Sequence, residues 1–370
     1  MSNPLQKLHG FGQSFWWDSL SRHAIETGEL ARMRDEDGMR GITSNPAIFQ
    51  TAIARGNDYD ARIQSLLDRA STAEEMFWEL AIADIQDACD LLRSLYDESD
   101  GGDGFVSLEV NPHLANDGAG TLAQAKELWQ RVARPNLMIK IPGTAAGVAA
   151  IRQALRDGLN INVTLLFSRQ AHMDVMEAYV EALEARLDAG ESIERIASVA
   201  SFFISRVDSL VDERLQQIGG PNAKALLGKA GIANAKLAYE NFLSRFEDAR
   251  WERLAAQGAR VQRPLWASTS TKNPDYSPTL YIGTLIGRNT VNTIPTSTID
   301  AYRKRGDGRA NAIREGVAEA RQQIEALATL GIDMDQVTAQ LLDEGVEKFN
   351  VAFDSLLQDL DAKLRALSVR

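Results

Sequence analysis

Lys140 is the only charge in the run Asn136-Leu-Met-Ile-Lys140-Ile-Pro142-Gly143-Thr144, an apolar segment that ends abruptly at proline. Leu137, Met138, Ile139 and Ile141 surround it in sequence. A lysine taken out of water loses preference for the ammonium form and gains a nucleophilic amine able to form a Schiff base with a carbonyl substrate. The same pattern suits a strand-end lysine whose stem packs inside while its head reaches water. From this segment alone, both readings stay open.

The elements that must position such a residue can be read from periodicity. Eight short apolar runs end in polar residues: Ser14–Asp18, Gly41–Asn45, Phe105–Glu109, Leu137–Lys140, Ile161–Thr164, Ile196–Ser201, Pro264–Ser268 and Thr290–Thr293. Between them lie stretches with apolar residues three or four apart, such as Ala73–Leu95, Leu122–Val132, Gly147–Leu155 and Arg169–Leu187, which predict helices. Strands alternating with helices imply a parallel sheet. Eight repeats fit a closed (β/α)8 TIM barrel of the α/β class better than an open doubly wound sheet. The expected organisation is one barrel domain over 1–370, with a helical insertion at about 207–263 and C-terminal helices at about 298–370.

A barrel gathers its chemistry at the C-terminal ends of its strands. Asp18, Asn45, Glu109, Lys140, Asn162, Thr164, Ser201 and Ser268 all stand at or near those ends. Each alone could be a helix cap or a solvated strand end; their joint placement points to a site. Thr144 reads as an N-cap, and Ser44-Asn45-Pro46 is compatible with a turn that opens a helix. Gly101-Gly-Asp-Gly104 precedes a strand and reads as a flexible connection.

Composition narrows the function classes. In 370 residues, 44% hydrophobic and 25% charged, there is ample material for a large core. The net charge of −11 argues against general nucleic-acid binding and requires local cations for any anionic substrate. No apolar run is long enough for a membrane span. The single cysteine, Cys89, and the lack of an apolar stretch behind basic residues at the N-terminus lead us to expect a cytoplasmic protein. His9, His23, His113 and His172 show no ligand spacing, and no Gly-rich nucleotide-phosphate motif occurs. Neither a metal nor an organic cofactor is expected.

Two segments, Gly41-Ile-Thr-Ser-Asn-Pro46-Ala-Ile-Phe49 and Met138-Ile-Lys140-Ile-Pro-Gly-Thr144-Ala-Ala-Gly147, resemble the paired signature motifs of transaldolases. The resemblance runs from about Phe15 to the Phe349–Leu357 segment. It implies a class I aldolase-type barrel that moves a dihydroxyacetone unit between sugar phosphates, with Lys140 as the Schiff-base lysine. Asp18 matches the family's acid/base for carbon–carbon cleavage. Glu109 and Thr164 match the pair that holds a proton-shuttling water, and Asn45, Asn162 and Ser201 match residues that bind the dihydroxyacetone hydroxyls. An ionised Glu109 near Lys140 would favour the ammonium, against the pull of burial.

Arg206 matches a family cation near the substrate phosphate, a role suited to the planar fork of a guanidinium; a surface salt bridge is the plainer alternative. The loop Ala267-Ser268-Thr269-Ser270-Thr271-Lys272-Asn273 departs from the shorter Ala-Ser-x-Arg-Asn pattern. Lys272 is its only cation, and Ser268 could contribute beside it. Two rival functions are a fructose-6-phosphate-type aldolase, which would release dihydroxyacetone, and a non-catalytic phosphosugar-binding barrel. Glu109 and Phe203 speak against the first, because the similar aldolase branch carries Gln and Tyr there. A binding protein would have no need of Lys140, Asp18 and Glu109 together.

Overall fold

The computed structural model describes residues 3–54, 56–306 and 308–368. Its strands are β1 (Gln13–Trp17), β2 (Gly41–Thr43), β3 (Phe105–Glu109), β4 (Leu137–Pro142), β5 (Ile161–Leu166), β6 (Ser198–Phe203), β7 (Arg263–Ala267) and β8 (Thr290–Ile294). All pair in parallel with their sequence neighbours, and β8 returns to β1 to close the barrel. The expected (β/α)8 barrel is therefore the fold, with additional helices around it. Strand ends move by a residue or two from the sequence reading. The Ala73–Leu95 pattern resolves into two helices, Ala73–Leu91 and Arg93–Glu98.

Alternation along the strands sorts side chains into two cores, because successive Cβ atoms leave opposite faces of a strand. Phe15, Trp17, Leu108, Ile139, Ile141 and Val163 belong to the larger core, with the helices. Trp16, Phe105, Met138, Val199, Leu265 and Val291 point the other way and fill the barrel interior. At β5 this alternation is interrupted. Leu165 adopts a left-handed φ of 59° at a register shift between Val163 and Leu166, and its side chain joins the interior cluster.

The signature glycines have packing reasons. A Cβ at Gly41 would run into the Trp16 indole, and one at Gly147 would strike the Pro142 carbonyl. The second matters for the site, since Gly147 lets the Ala145–Arg156 helix start close against the end of β4. Thr144 caps that helix as expected, its Oγ1 accepting from Gly147 N at 3.0 Å and donating to the Ala115 carbonyl.

Below the interior plug, the Gly101–Gly104 turn differs from the flexible connection expected of it. Asp103 is buried and accepts from Ser14 Oγ (2.8 Å), Arg40 Nε (2.6 Å) and Arg263 Nη1 (3.0 Å), which pins the turn under the barrel. Its glycines supply the positive φ of the turn at 101 and 104. Above the plug, the Met334–Ser368 helix runs for 35 residues, about 50 Å at 1.5 Å per residue. It packs on the helices that follow β2 and β6 and on β5, and so spans the C-terminal mouth.

Candidate active site

The C-terminal ends of the strands border a cleft of about 210 Å³. Asp18, Asn45, Lys140, Thr164, Ser201, Phe203, Arg206, Ser268 and Lys272 all line it, so the fold brings together nearly every residue singled out from sequence. Glu109 and Asn162 stand just behind the wall. Register explains their placement: Glu109 pairs with Lys140 across β3 and β4, and Lys140 pairs with Asn162 across β4 and β5.

Lys140 is 5% exposed. Its immediate apolar neighbours are not its surroundings, because Ile139 and Ile141 face the helices while the lysine faces inward, on the same side of β4 as Met138. Nζ instead donates to the Ser44 carbonyl at 3.1 Å and lies 3.1 Å from Glu109 Oε2. The amine is thus buried but partnered, rather than isolated in hydrocarbon. Glu109 has a small apolar pocket behind it, formed in part by Phe49, Phe77, Trp78 and Phe353. Burial pushes its pKa up, despite the opposing pull of Lys140, and neither carboxylate oxygen has a well-directed hydrogen bond. Thr164 Oγ1 is likewise buried without a protein partner.

Asp18 follows the last residue of β1, half-buried at the cleft. Burial raises its pKa, while Lys140, the Thr43 hydrogen bond and Lys272 oppose the shift. Thr43 Oγ1 donates to Asp18 Oδ1 at 2.8 Å and lies 2.5 Å from Thr293 Oγ1. A hydroxyl has one proton to give, so Thr293 must donate to Thr43 and the three groups form a directed chain. Sequence reasoning missed both threonines, although Thr293 ends a run it had marked and Thr43 lies within another.

Other polar residues divide between substrate-facing and supporting places. Ser201 Oγ donates to Asn162 Oδ1 at 2.7 Å, and Asn162 Nδ2 donates to Ser107 Oγ at 3.0 Å. Asn162 is fully buried and fixes Ser201, which reaches the cleft. Asn45 both borders the cleft and caps the Pro46–Ala54 helix, accepting from Ile48 N at 3.0 Å. The turn expected at Ser44-Asn45-Pro46 therefore does open a helix.

Arg206 opens the helix that follows β6. Its guanidinium lies 5.2 Å from the Phe203 ring and 5.9 Å from that of Phe349, a cation held between two aromatic faces. Burial lowers its pKa, with Glu109 and Glu344 opposing, and its buried Nη1 has no hydrogen-bond partner. No carboxylate pairs with it among the described residues. That disfavours the surface-salt-bridge alternative. Phe349 also lies 5.7 Å from Lys140 Nζ. It comes from the long C-terminal helix, a segment whose sequence pattern spoke only of helix. Lys272 Nζ donates to Ser270 Oγ at 2.7 Å; partial desolvation and nearby Arg206 lower its pKa, and Asp18 works against them. Among the described residues, no group of His, Cys, Asp and Glu is arranged to hold a metal, and no helix is long and apolar enough to cross a membrane.

The family model described as transaldolase/fructose-6-phosphate aldolase matches residues 15–360. The chain belongs to that family. It is 46% identical over 365 residues to the transaldolase of Mycolicibacterium smegmatis, with 98% of each chain covered. Similar matches are the transaldolases of Mycobacterium tuberculosis, 45% identical over 364 residues with 98% of each chain covered, and Trichodesmium erythraeum, 45% identical over 378 residues with 100% of this chain and 99% of the relative covered. By family and full-length relatives this is an enzyme of the transaldolase kind.

Proposed function

We propose that the protein moves a dihydroxyacetone unit from sedoheptulose 7-phosphate or fructose 6-phosphate to glyceraldehyde 3-phosphate or erythrose 4-phosphate, through an imine on Lys140. The observation that carries this reading is the meeting of a buried amine, two carboxylates with raised pKa values and an aromatic-clamped arginine at one cleft. The Lys140 amine attacks the ketose carbonyl, and the resulting carbinolamine loses water. Glu109 and Thr164, whose buried oxygens lack directed protein partners, suit the proton transfers of those steps. Asp18 then takes the proton of the C4 hydroxyl as the C3–C4 bond breaks. The aldose leaves, and the imine accepts the electron pair as an enamine. An acceptor aldose reverses these steps, with Asp18 returning its proton to the new hydroxyl, and hydrolysis frees Lys140.

Ser201, Asn45 and the Asn162 behind Ser201 would orient the dihydroxyacetone hydroxyls. Arg206, with Ser268 and Lys272 across the cleft, would hold the phosphate. Glu109 and Phe203 favour transfer over release, given their difference from the similar aldolase branch. The buried thiol Cys89 accords with a cytoplasmic location.

Incubation with fructose 6-phosphate and borohydride should place a ketose adduct on the peptide containing Lys140, and adding erythrose 4-phosphate should yield sedoheptulose 7-phosphate. Lys140→Met, which keeps length and apolar bulk, should fold yet lose both adduct and turnover. Chelation by EDTA should leave the rate unchanged, because the imine is the electron sink. Rapid release of free dihydroxyacetone without an acceptor would favour the aldolase. An adduct that persists in Lys140→Met would remove Lys140 from the chemistry.

A further inference from the structure

The connection from Ser268 to Asn289 carries Lys272, yet its only regular element is the five-residue helix Leu280–Thr284. Lys272 is exposed and among the described residues hydrogen-bonds only the Ser270 hydroxyl, so its place depends on where the loop backbone is held. Three residue pairs tie that loop to the Ser205–Ile218 helix, which bears Arg206. Ser205 Oγ meets Ser268 Oγ at 2.8 Å, and Ser205 N donates to the Ser268 carbonyl at 3.1 Å. Ser268 is thereby held at a left-handed φ of 56°, which a serine seldom adopts unsupported. Tyr281 Oη donates to Asp208 Oδ2 at 2.7 Å, and Tyr276 Oη donates to Asp212 Oδ2 at 2.6 Å.

Asp208 and Asp212 are one turn apart on one face of the helix. Their remaining oxygens accept from Gly231 N (2.7 Å) and Gly228 N (2.9 Å), so each carboxylate is gripped between the loop and the start of the Ala230–Arg245 helix. The approach is close: a Cβ at Gly228, whose φ is +68°, would run into the Tyr276 ring. Burial and the facing aspartates push both tyrosine pKa values up, which keeps the phenols as donors.

We infer that the Asp208–Tyr281 and Asp212–Tyr276 pairs are a positioning device that holds Lys272 across the cleft from Arg206, so that two cations meet one substrate phosphate. The inference rests on the phosphate role proposed for those cations. It gives the elongated loop a purpose. A lysine ammonium is a point charge on a flexible stem and lacks the fixed fork of an arginine, so its backbone must be placed for it.

The test is a double-mutant cycle on the full chain. Tyr276→Phe keeps the ring against Gly228 and removes one hydrogen bond, so KM for fructose 6-phosphate should rise by about two- to tenfold. Borohydride trapping with unphosphorylated fructose should stay at the parent rate. In a Lys272→Ala background, Tyr276→Phe should cause no further rise. Asp212→Asn, whose amide oxygen can still accept from Gly228 N while its Nδ2 donates to the phenol oxygen, should retain most of the parent KM. A rise that is undiminished without Lys272, or equal for unphosphorylated fructose, would make the pair purely structural and overturn the inference. A Lys272→Ala variant with unchanged KM, alongside normal adduct formation, would overturn it while leaving the imine chemistry standing. Failure of the parent protein to form any adduct would instead overturn the reading of the site.

Discussion

Asp103, beneath the interior plug, and Glu109, above it, are both buried carboxylates facing cations, and the barrel treats them oppositely. Asp103 is held below the usual carboxylate range. Burial alone would raise it, but Arg263, Arg40 and Ser14 together outweigh that cost. Glu109 has one cation at 3.1 Å and no directed hydrogen bond, so burial wins and its pKa rises. A saturated charge fixes structure, because every lone pair is already engaged. An unsaturated one is costly to keep, but it can take up a proton when chemistry requires it. The N-terminal end therefore reads as the clamp of the barrel and the C-terminal end as its reacting face.

The largest expected effects lie at the reacting face. Asp18→Asn should slow transfer by roughly 10²- to 10⁴-fold, the range for a lost general acid/base, while the adduct with fructose 6-phosphate still forms. Glu109→Gln should slow appearance of the adduct itself. Rapid-quench borohydride trapping on both variants distinguishes the steps. An Asp18 variant unable to form the adduct, or a Glu109 variant forming it at the parent rate, would reverse the assignment.

A second measurement sets the two buried carboxylates against each other in stability. Asp103→Asn should cost about 3 kcal/mol in urea unfolding at pH 7, because it strands charge on Arg40 and Arg263. With a depressed folded pKa, the contribution of Asp103 is present above the ordinary carboxylate pKa and disappears as pH falls through the folded value. For Glu109 the sign is opposite. Its raised pKa contributes stability below the ordinary value of about 4.3, and that contribution is lost as pH rises through the folded pKa. Glu109→Gln should therefore be neutral or stabilising at pH 8. A loss as large as that of Asp103→Asn would show that Glu109 is structural as well.

The smallest effect concerns the outer rim of the cleft. Arg206→Ala should raise KM for phosphorylated substrates by about 10- to 150-fold, the equivalent of roughly 1.5 to 3 kcal/mol for a charge-assisted hydrogen bond. Unphosphorylated sugars should be handled as before, and Lys272→Ala should give a weaker version of the pattern. Equal changes for both sugar types would mean that the aromatic clamp around Arg206 serves the fold alone.

The barrel, and most of the polar residues that stand at its C-terminal mouth, could be read from the amino-acid sequence alone. Strand and helix periods are local, and a parallel barrel places every strand's C-terminal end at one mouth, so Asp18, Asn45, Lys140, Thr164, Ser201 and Ser268 could be assigned to one face without coordinates. The rest depends on partners distant in the chain. Ile139 and Ile141, the immediate neighbours of Lys140, point away from it, and its actual company is Glu109 and the Ser44 carbonyl. Asn162 supports Ser201 from behind the wall, and Phe349 arrives from a helix more than a hundred residues beyond Arg206. Asp103 looked like part of a flexible turn until Arg40 and Arg263 were brought to it from 63 residues before and 160 residues after. Periodicity records which way a side chain leaves its own element, whereas the atoms it meets are fixed only when all eight strands close.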